Sequence, residues 1–265
     1  MLTTRFVDGA PNWLDVGMAD LERARDFYGA LFDWRFRSAG PDAGGYGFFQ
    51  VDGRTVAGGM QIRPEQGPPS WTVYFRTSGA EDTCEAAERA HGRVLFPPMD
   101  VMGQGVMAIL ADPAGAPFGL WQRGDLPGIE VTGEAGALCW VELHTPDMAA
   151  AAAFYRATLG LETSAVAYPG QVYTTVAPPG ADDDGAFGGL VTPDEEPAGA
   201  DAWPDAHWLA YLQVADVAAV VARTAELGGG VRLGATDIAG VGTVAHLSAP
   251  DGARFAVIRP DPRQS

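Results

Sequence analysis

The stretch WLDVGMADLERARDFY, from Trp13 to Tyr28, returns 127 residues later as WVELHTPDMAAAAAFY, from Trp140 to Tyr155. Each copy reads as an extended run, an aspartate and then a helix. Asp20 precedes Leu21, Ala24, Phe27, Tyr28 and Leu31, which fall on one face at helical spacing. Its carboxylate is suited to accept the free amide hydrogens of a first helical turn. Working outward, the same order continues. Gly58-Gly59 returns as Gly188-Gly189, Trp71 as Trp208, and Pro113-Ala-Gly115 as Pro250-Asp-Gly252. The last two are shifted by 137 residues, so the offset has grown. The extra residues fall mainly in Pro178–Asp184 and Thr192–Asp205, whose Pro, Ala, Asp and Glu content reads as loop. Kept order with drift only in loops means a duplicated domain.

Each copy divides again into two half-copies. In the first, an extended run at Asn12–Val16 leads into the helix after Asp20, with short runs at Trp34–Arg37, Tyr46–Val51 and Val56–Ile62. A second half opens at Trp71–Arg76, continues in a helix over Ala80–His91 and ends in three more runs, the last at Pro117–Gln122. The second copy repeats this from Leu138–His144. The expected fold class is α+β, two tandem domains, each a pair of βαβββ modules forming a curved mixed sheet around a cleft. The first domain is placed at 1–125, a Pro- and Gly-containing linker at 126–136, and the second domain at 137–265. Phe27, Tyr28, Phe154 and Tyr155 are read as core.

Composition narrows the function classes. The chain has 265 residues and a formal net charge of −17. Such a surface repels phosphate backbones, so no nucleic-acid partner is expected. No apolar run reaches the roughly 18 residues of a membrane span, so no membrane partner is expected and the location is read as cytoplasmic. All 17 basic residues are arginine, which excludes a lysine Schiff base and a P-loop lysine. Cys84 and Cys139 belong to no paired motif and read as buried, reduced thiols. His91 ends a helix, where a cation suits the macrodipole. Gly228-Gly-Gly230 follows a helix and reads as its C-terminal stop, not a phosphate cradle. The chain is expected as a monomer or homodimer.

Taken in order, the motifs resemble the vicinal oxygen chelate superfamily. They are Asp20 with Phe27-Tyr28 and Leu31-Phe32, Asp147 with Phe154-Tyr155 and Leu159-Gly160, and the turns Asp112–Gly115 and Pro250–Gly252. That superfamily includes glyoxalase I, extradiol dioxygenases, fosfomycin-resistance enzymes and bleomycin-binding proteins. The opening Trp-x-Asp/Glu strand is similar to two-domain members common in actinobacteria. The resemblance implies metal ligands on the first strand of each half and a glutamate on a last strand. Carried over, those places fall on Trp13 and Trp140, on Thr72 and Leu209 by gapless counting, and on Gly119 and Ala256. Iron, manganese and zinc require imidazole, thiolate or carboxylate donors. No metal and no cofactor are therefore expected. The alternative is a relocated divalent metal at Glu142, His144, His207 and His246, which lie on or beside strands of the second copy.

The expected function is metal-independent binding of a small organic molecule, aromatic or cationic, such as an antibiotic natural product. The alternative is an enzyme: a metal-free acid–base isomerase, cyclase or lyase, or a glyoxalase- or dioxygenase-like enzyme with relocated ligands. Asp15 and Glu142 are the candidate catalytic acids. Each shares a strand face with an indole two residues away, and an acid against aromatic surface resists ionisation. The other reading of this pair is a carboxylate bonded to backbone or a tyrosine at a seam between the copies. Candidate ligand contacts are Trp13, Tyr46, Phe48, Trp71, Trp121, Trp140, His144, Tyr173, His207 and Trp208, with Tyr168 a further rim residue. Strand aromatics such as Trp71, Trp121 and Trp208 equally suit a core.

Overall fold

A computed structural model describes residues 2–168, 171–181, 185–192 and 205–261. The loop segments 182–184 and 193–204 expected from composition lie outside the described residues. The first half runs β1 (Pro11–Met18), α1 (Leu21–Phe32), β2 (Arg35–Ser38), β3 (Gly47–Val51), β4 (Arg54–Gln61), β5 (Ser70–Thr77), α2 (Ala80–Arg89), β6 (Arg93–Asp100), β7 (Gly105–Ala111) and β8 (Pro117–Arg123). The second repeats it with β9 (Leu138–His144), α3 (Met148–Leu159), β10 (Glu162–Tyr168), β11 (Gln171–Ala177), β12 (Gly188–Val191), β13 (His207–Gln213), α4 (Val217–Glu226), β14 (Gly230–Ile238), β15 (Gly242–Ser248) and β16 (Arg254–Pro260). Each half is one eight-stranded mixed sheet, ordered β2-β3-β4-β1-β5-β8-β7-β6 and β10-β11-β12-β9-β13-β16-β15-β14. The opening strand of each half is therefore central. It runs parallel to the fourth strand and antiparallel to the fifth. No helix among the described residues is long and apolar enough to cross a membrane.

Asp20 does cap α1, its carboxylate accepting the Arg23 amide at 3.0 Å. Asp147 and Asp216 do the same for α3 and α4. These caps start the helices at fixed points, so the aromatic pair near each helix end meets the sheet in register.

The helix-side faces of the two sheets share one core. Phe75 of the first half lies 5.0 Å from Trp208 and 6.0 Å from Phe187 of the second. Phe118 meets Phe154 and Tyr155, and Phe27 and Tyr28 meet Phe255. Trp71 and Trp208 belong to this layer. Their indole N–H groups donate to Tyr28 at 3.1 Å and Tyr155 at 2.8 Å. The Tyr155 hydroxyl in turn reaches the Asp112 carboxylate, 3.4 Å away in the other half. Burial raises the Asp112 carboxyl, and the amides of its own turn oppose that shift. Phe27, Tyr28, Phe154 and Tyr155 are core, as their helix spacing implied.

The segment 126–136 is not a free tether. Ile129 and Val131 are 2% exposed. The Ile129 amide donates to the Asn12 carbonyl at 2.9 Å, and the Trp34 indole donates to the Gly136 carbonyl at 2.8 Å. Arg54 and Glu134 close the strap with a bidentate pair. Alternating Ile129 and Val131 give it an apolar face to bury.

Because Phe75 is fully buried at the seam, Phe75→Ala is expected to cost about 3–5 kcal/mol. The loss should appear in both halves as one cooperative transition by calorimetry; separate melting of the halves would contradict a shared core.

Candidate functional site

The other face of each sheet carries the polar groups. In the first half, the Trp13 indole donates to the Tyr46 hydroxyl at 3.0 Å, and that hydroxyl donates to Asp15 Oδ2 at 3.2 Å. In the second, Trp140 donates to Tyr173 at 3.1 Å, and Tyr173 to Glu142 Oε1 at 2.5 Å. The indole, phenol and carboxylate thus form the same chain twice. Strand alternation puts the acid beside the indole, and the tyrosine, just before β3 in the first half and on β11 in the second, reaches across the intervening fourth strand. That approach needs a bare backbone. Gly58 lies opposite Asp15 and Gly189 opposite Glu142, and a Cβ on either would collide with the Tyr46 or Tyr173 hydroxyl. The register therefore matches Gly58 with Gly189, one residue off the pairing read from the doublets alone.

The acids are held by a tyrosine, but not at a seam between the copies. They face away from the shared core. Phe48 stands edge-on to Trp13 at 6.1 Å, and Trp121 lies nearly parallel to Trp13 at 6.3 Å. Asp15, Glu142, Trp13, Tyr46, Phe48, Trp121, Trp140, His144, Tyr173 and His207 are gathered on these polar faces. Trp71 and Trp208 are not: their indoles point to the opposite side, into the core, with their N–H groups satisfied there. The Tyr168 side chain lies outside the described residues.

Two residues were missed. Tyr74 pairs across from Trp13, and Tyr211 across from Trp140, while Thr72 and Leu209, reached by gapless counting as the counterparts of those tryptophans, pair across from Asp15 and Glu142. Tyr74 is next to Gly119, and Tyr211 next to Ala256. Which residues face each other across β1 and β5 is set by strand register, which no single-sequence pattern reports; the bulge in β1 lies before Trp13. The repeat held a signal nonetheless, since both tyrosines sit three residues after the repeated tryptophan.

The rows Trp13–Tyr74–Gly119 and Trp140–Tyr211–Ala256 offer no imidazole, thiolate or carboxylate. Among the described residues, no group of three His, Cys, Asp or Glu side chains is placed to hold a metal ion. The family's usual donor set does not fit these residues.

The two acids differ in proton affinity. Burial raises the Asp15 carboxyl to about 6, opposed by hydrogen bonds from Tyr46, the Val16 backbone and Tyr74. Burial acts on Glu142 in the same direction, but the neighbouring His144 and the hydroxyls of Tyr173 and Tyr211 outweigh it and hold the acid at about 2. Tyr211 donates to Glu142 Oε2 at 2.7 Å, and His144 Nε2 lies 3.3 Å from the same oxygen. With its one proton on Glu142, Tyr211 accepts from His246 Nε2 at 2.9 Å. His207 stacks on His144 at 4.7 Å and holds the Asp205 carbonyl through Nδ1 at 2.8 Å. Burial, then the nearby His144, lowers His207 to about 4. Through the repeat, His144, His207 and His246 correspond to Gly17, Ser70 and Ile109, so this histidine group exists in one half only.

Comparison with known proteins agrees with the duplicated architecture. A family model, Glyoxalase/Bleomycin resistance protein/Dioxygenase superfamily, matches residues 10–120 and again 137–257. The chain is 39% identical over 276 residues to the anthracycline biosynthesis protein DauV of Streptomyces sp. (strain C5), covering 96% of this chain and 94% of that protein. It is 39% identical over 274 residues to the anthracycline biosynthesis protein DnrV of Streptomyces peucetius, with the same coverage of 96% and 94%. Among solved structures, the Mn(II)-bound glyoxalase from Novosphingobium aromaticivorans aligns with a TM-score of 0.63 over 95% of this chain and 82% of that one. At 12% identity, that likeness speaks for the fold.

The two acids should respond to pH with opposite sign. Asp15 is raised from 3.8 to about 6, so its contribution to stability is greatest below pH 3.8 and falls as pH rises through 6. Glu142 is lowered from 4.5 to about 2, so its contribution is present above pH 4.5 and is lost as pH falls towards 2. At pH 8, Asp15→Asn should raise the melting temperature, and Glu142→Gln should lower it. The Asp15→Asn gain, on the order of 2–3 kcal/mol at pH 8, should shrink towards pH 5. Equal shifts at both pH values would refute the assignment.

Proposed function

Since the chain belongs to the glyoxalase/bleomycin resistance/dioxygenase superfamily, whose fold carries metal enzymes and metal-free binders alike, we propose that it is a metal-independent binding protein for an aromatic natural product in antibiotic biosynthesis. The observation that carries this reading is the twice-built chain of indole, phenol and carboxylate, beside the rows Trp13–Tyr74–Gly119 and Trp140–Tyr211–Ala256. An indole offers a flat apolar surface, and the phenol and carboxylate beside it fix the direction of a hydroxyl or amine. The relatives named for anthracycline biosynthesis supply the ligand class, because anthracyclines are aromatic natural products. Sequestration of such a compound needs no turnover and no cofactor.

A second reading is favoured by one feature, the run His246–Tyr211–Glu142. An ionised carboxylate, a phenol and an imidazole in hydrogen-bonded sequence suit proton transfer in an isomerase, cyclase or lyase. Under that reading, Glu142→Gln abolishes turnover while leaving a folded chain.

Elemental analysis of protein purified without an affinity tag is expected to find less than about 0.1 divalent metal per chain. Titration with planar aromatic natural products should quench tryptophan fluorescence. Stoichiometric iron, zinc or manganese would overturn metal independence, and unchanged fluorescence across the panel would overturn the ligand class.

A further inference from the structure

The polar faces of the two halves correspond position by position. His144, His207 and Leu209 add bulk beside Glu142 where the first half has Gly17, Ser70 and Thr72, but three other positions lose it. Beside Trp13 stand Phe48 and Trp121, with Met107 next to Trp121. Phe48 meets the indole edge and Trp121 lies over it at 24°. Met107 pairs across from Trp121. Trp13 is 3% exposed as a result. The second half replaces all three with smaller side chains. Thr175 stands for Phe48, since each pairs with the glycine opposite its acid. Ile258 stands for Trp121, two residues beyond Ala256 as Trp121 is beyond Gly119. Val244 stands for Met107 and pairs across from Ile258. Trp140 keeps its bond to Tyr173 and is only partly buried. Ile238 and Val241 pack on the same small apolar cluster.

The first half therefore supplies its own aromatic occupant. The Trp121 indole lies on Trp13, anchored by its N–H on the Leu126 carbonyl at 2.9 Å. We infer that the second half alone takes an external planar ring, stacked on Trp140 in the place that Trp121 fills in the first. This rests on the aromatic-binding reading above and specifies where and how often binding occurs. The polar border matches a ring with oxygen substituents. Tyr211 and His246 flank Ala256, one step along the strand from Ile258, and neither Tyr74 nor Ile109 gives the first half an equivalent imidazole–phenol pair. A stacked aromatic ring contributes beyond its buried area, which favours a flat ligand over an aliphatic one of equal size.

The test is equilibrium dialysis of the full chain with quinizarin, a planar tricyclic hydroxyquinone. One quinizarin should bind per chain. Ile258→Trp, which gives the second half the first half's indole, should weaken binding at least about tenfold. Val244→Met should weaken it less, and it serves as the milder variant if Ile258→Trp does not fold by circular dichroism. Wild-type binding that persists at full strength in both variants overturns this inference and leaves the general binding reading standing. No binding by the wild type overturns that reading, and the inference with it.

Discussion

A sheet has two faces, and in this molecule sealing one of them decides what the other can hold. Phe75, Phe118, Tyr155 and Trp208 fill the space between the halves so that each sheet is backed by the other's aromatics. With the helix side closed, the opposite faces are released from core duty. They can carry buried carboxylates, which a single small domain stabilises poorly. The strap at 126–136 extends the same sealing along β1 and β4.

On the released faces, one bonding pattern produces two electrostatic outcomes. Asp15 and Glu142 each accept a phenol that is itself held by an indole. Asp15 has only neutral partners, so desolvation dominates and favours the protonated acid. Glu142 has His144 beside it and a second phenol, so the charged form prevails. The duplication preserved the backbone and the indole–phenol–acid geometry. The histidines, present on one copy only, separated the chemistry of the two faces. Bulk diverged as well: large aromatics close the first face, and the smaller Thr175, Val244 and Ile258 stand in their places on the second, where Trp140 is only partly buried.

Much of the fold was legible because repetition and periodicity are local records. The returning Trp-x-acid strand, the capping aspartates and the helix-face aromatics can be read without tertiary information. Of the site residues, Trp13, Asp15, Trp140 and Glu142 were legible for the same reason, since alternation along one strand assigns them one face. Tyr74 and Tyr211 were not. Their place depends on the register between two strands far apart in sequence. Trp71 and Trp208 were ambiguous in the same way. An aromatic on a strand fits either face until the packing partner is known, and here the partners are Tyr28 and Tyr155.

The amino-acid order by itself determined the duplication, the βαβββ modules and the pairing of an acid with an indole. These follow from residue identity and short-range spacing. Tertiary structure alone decided which face each tryptophan serves, that the linker packs as a half-buried strap, and that equivalent acids differ in proton affinity. Those outcomes depend on contacts between residues many positions apart, where desolvation and hydrogen bonds are set by whatever the fold brings within about 3 Å.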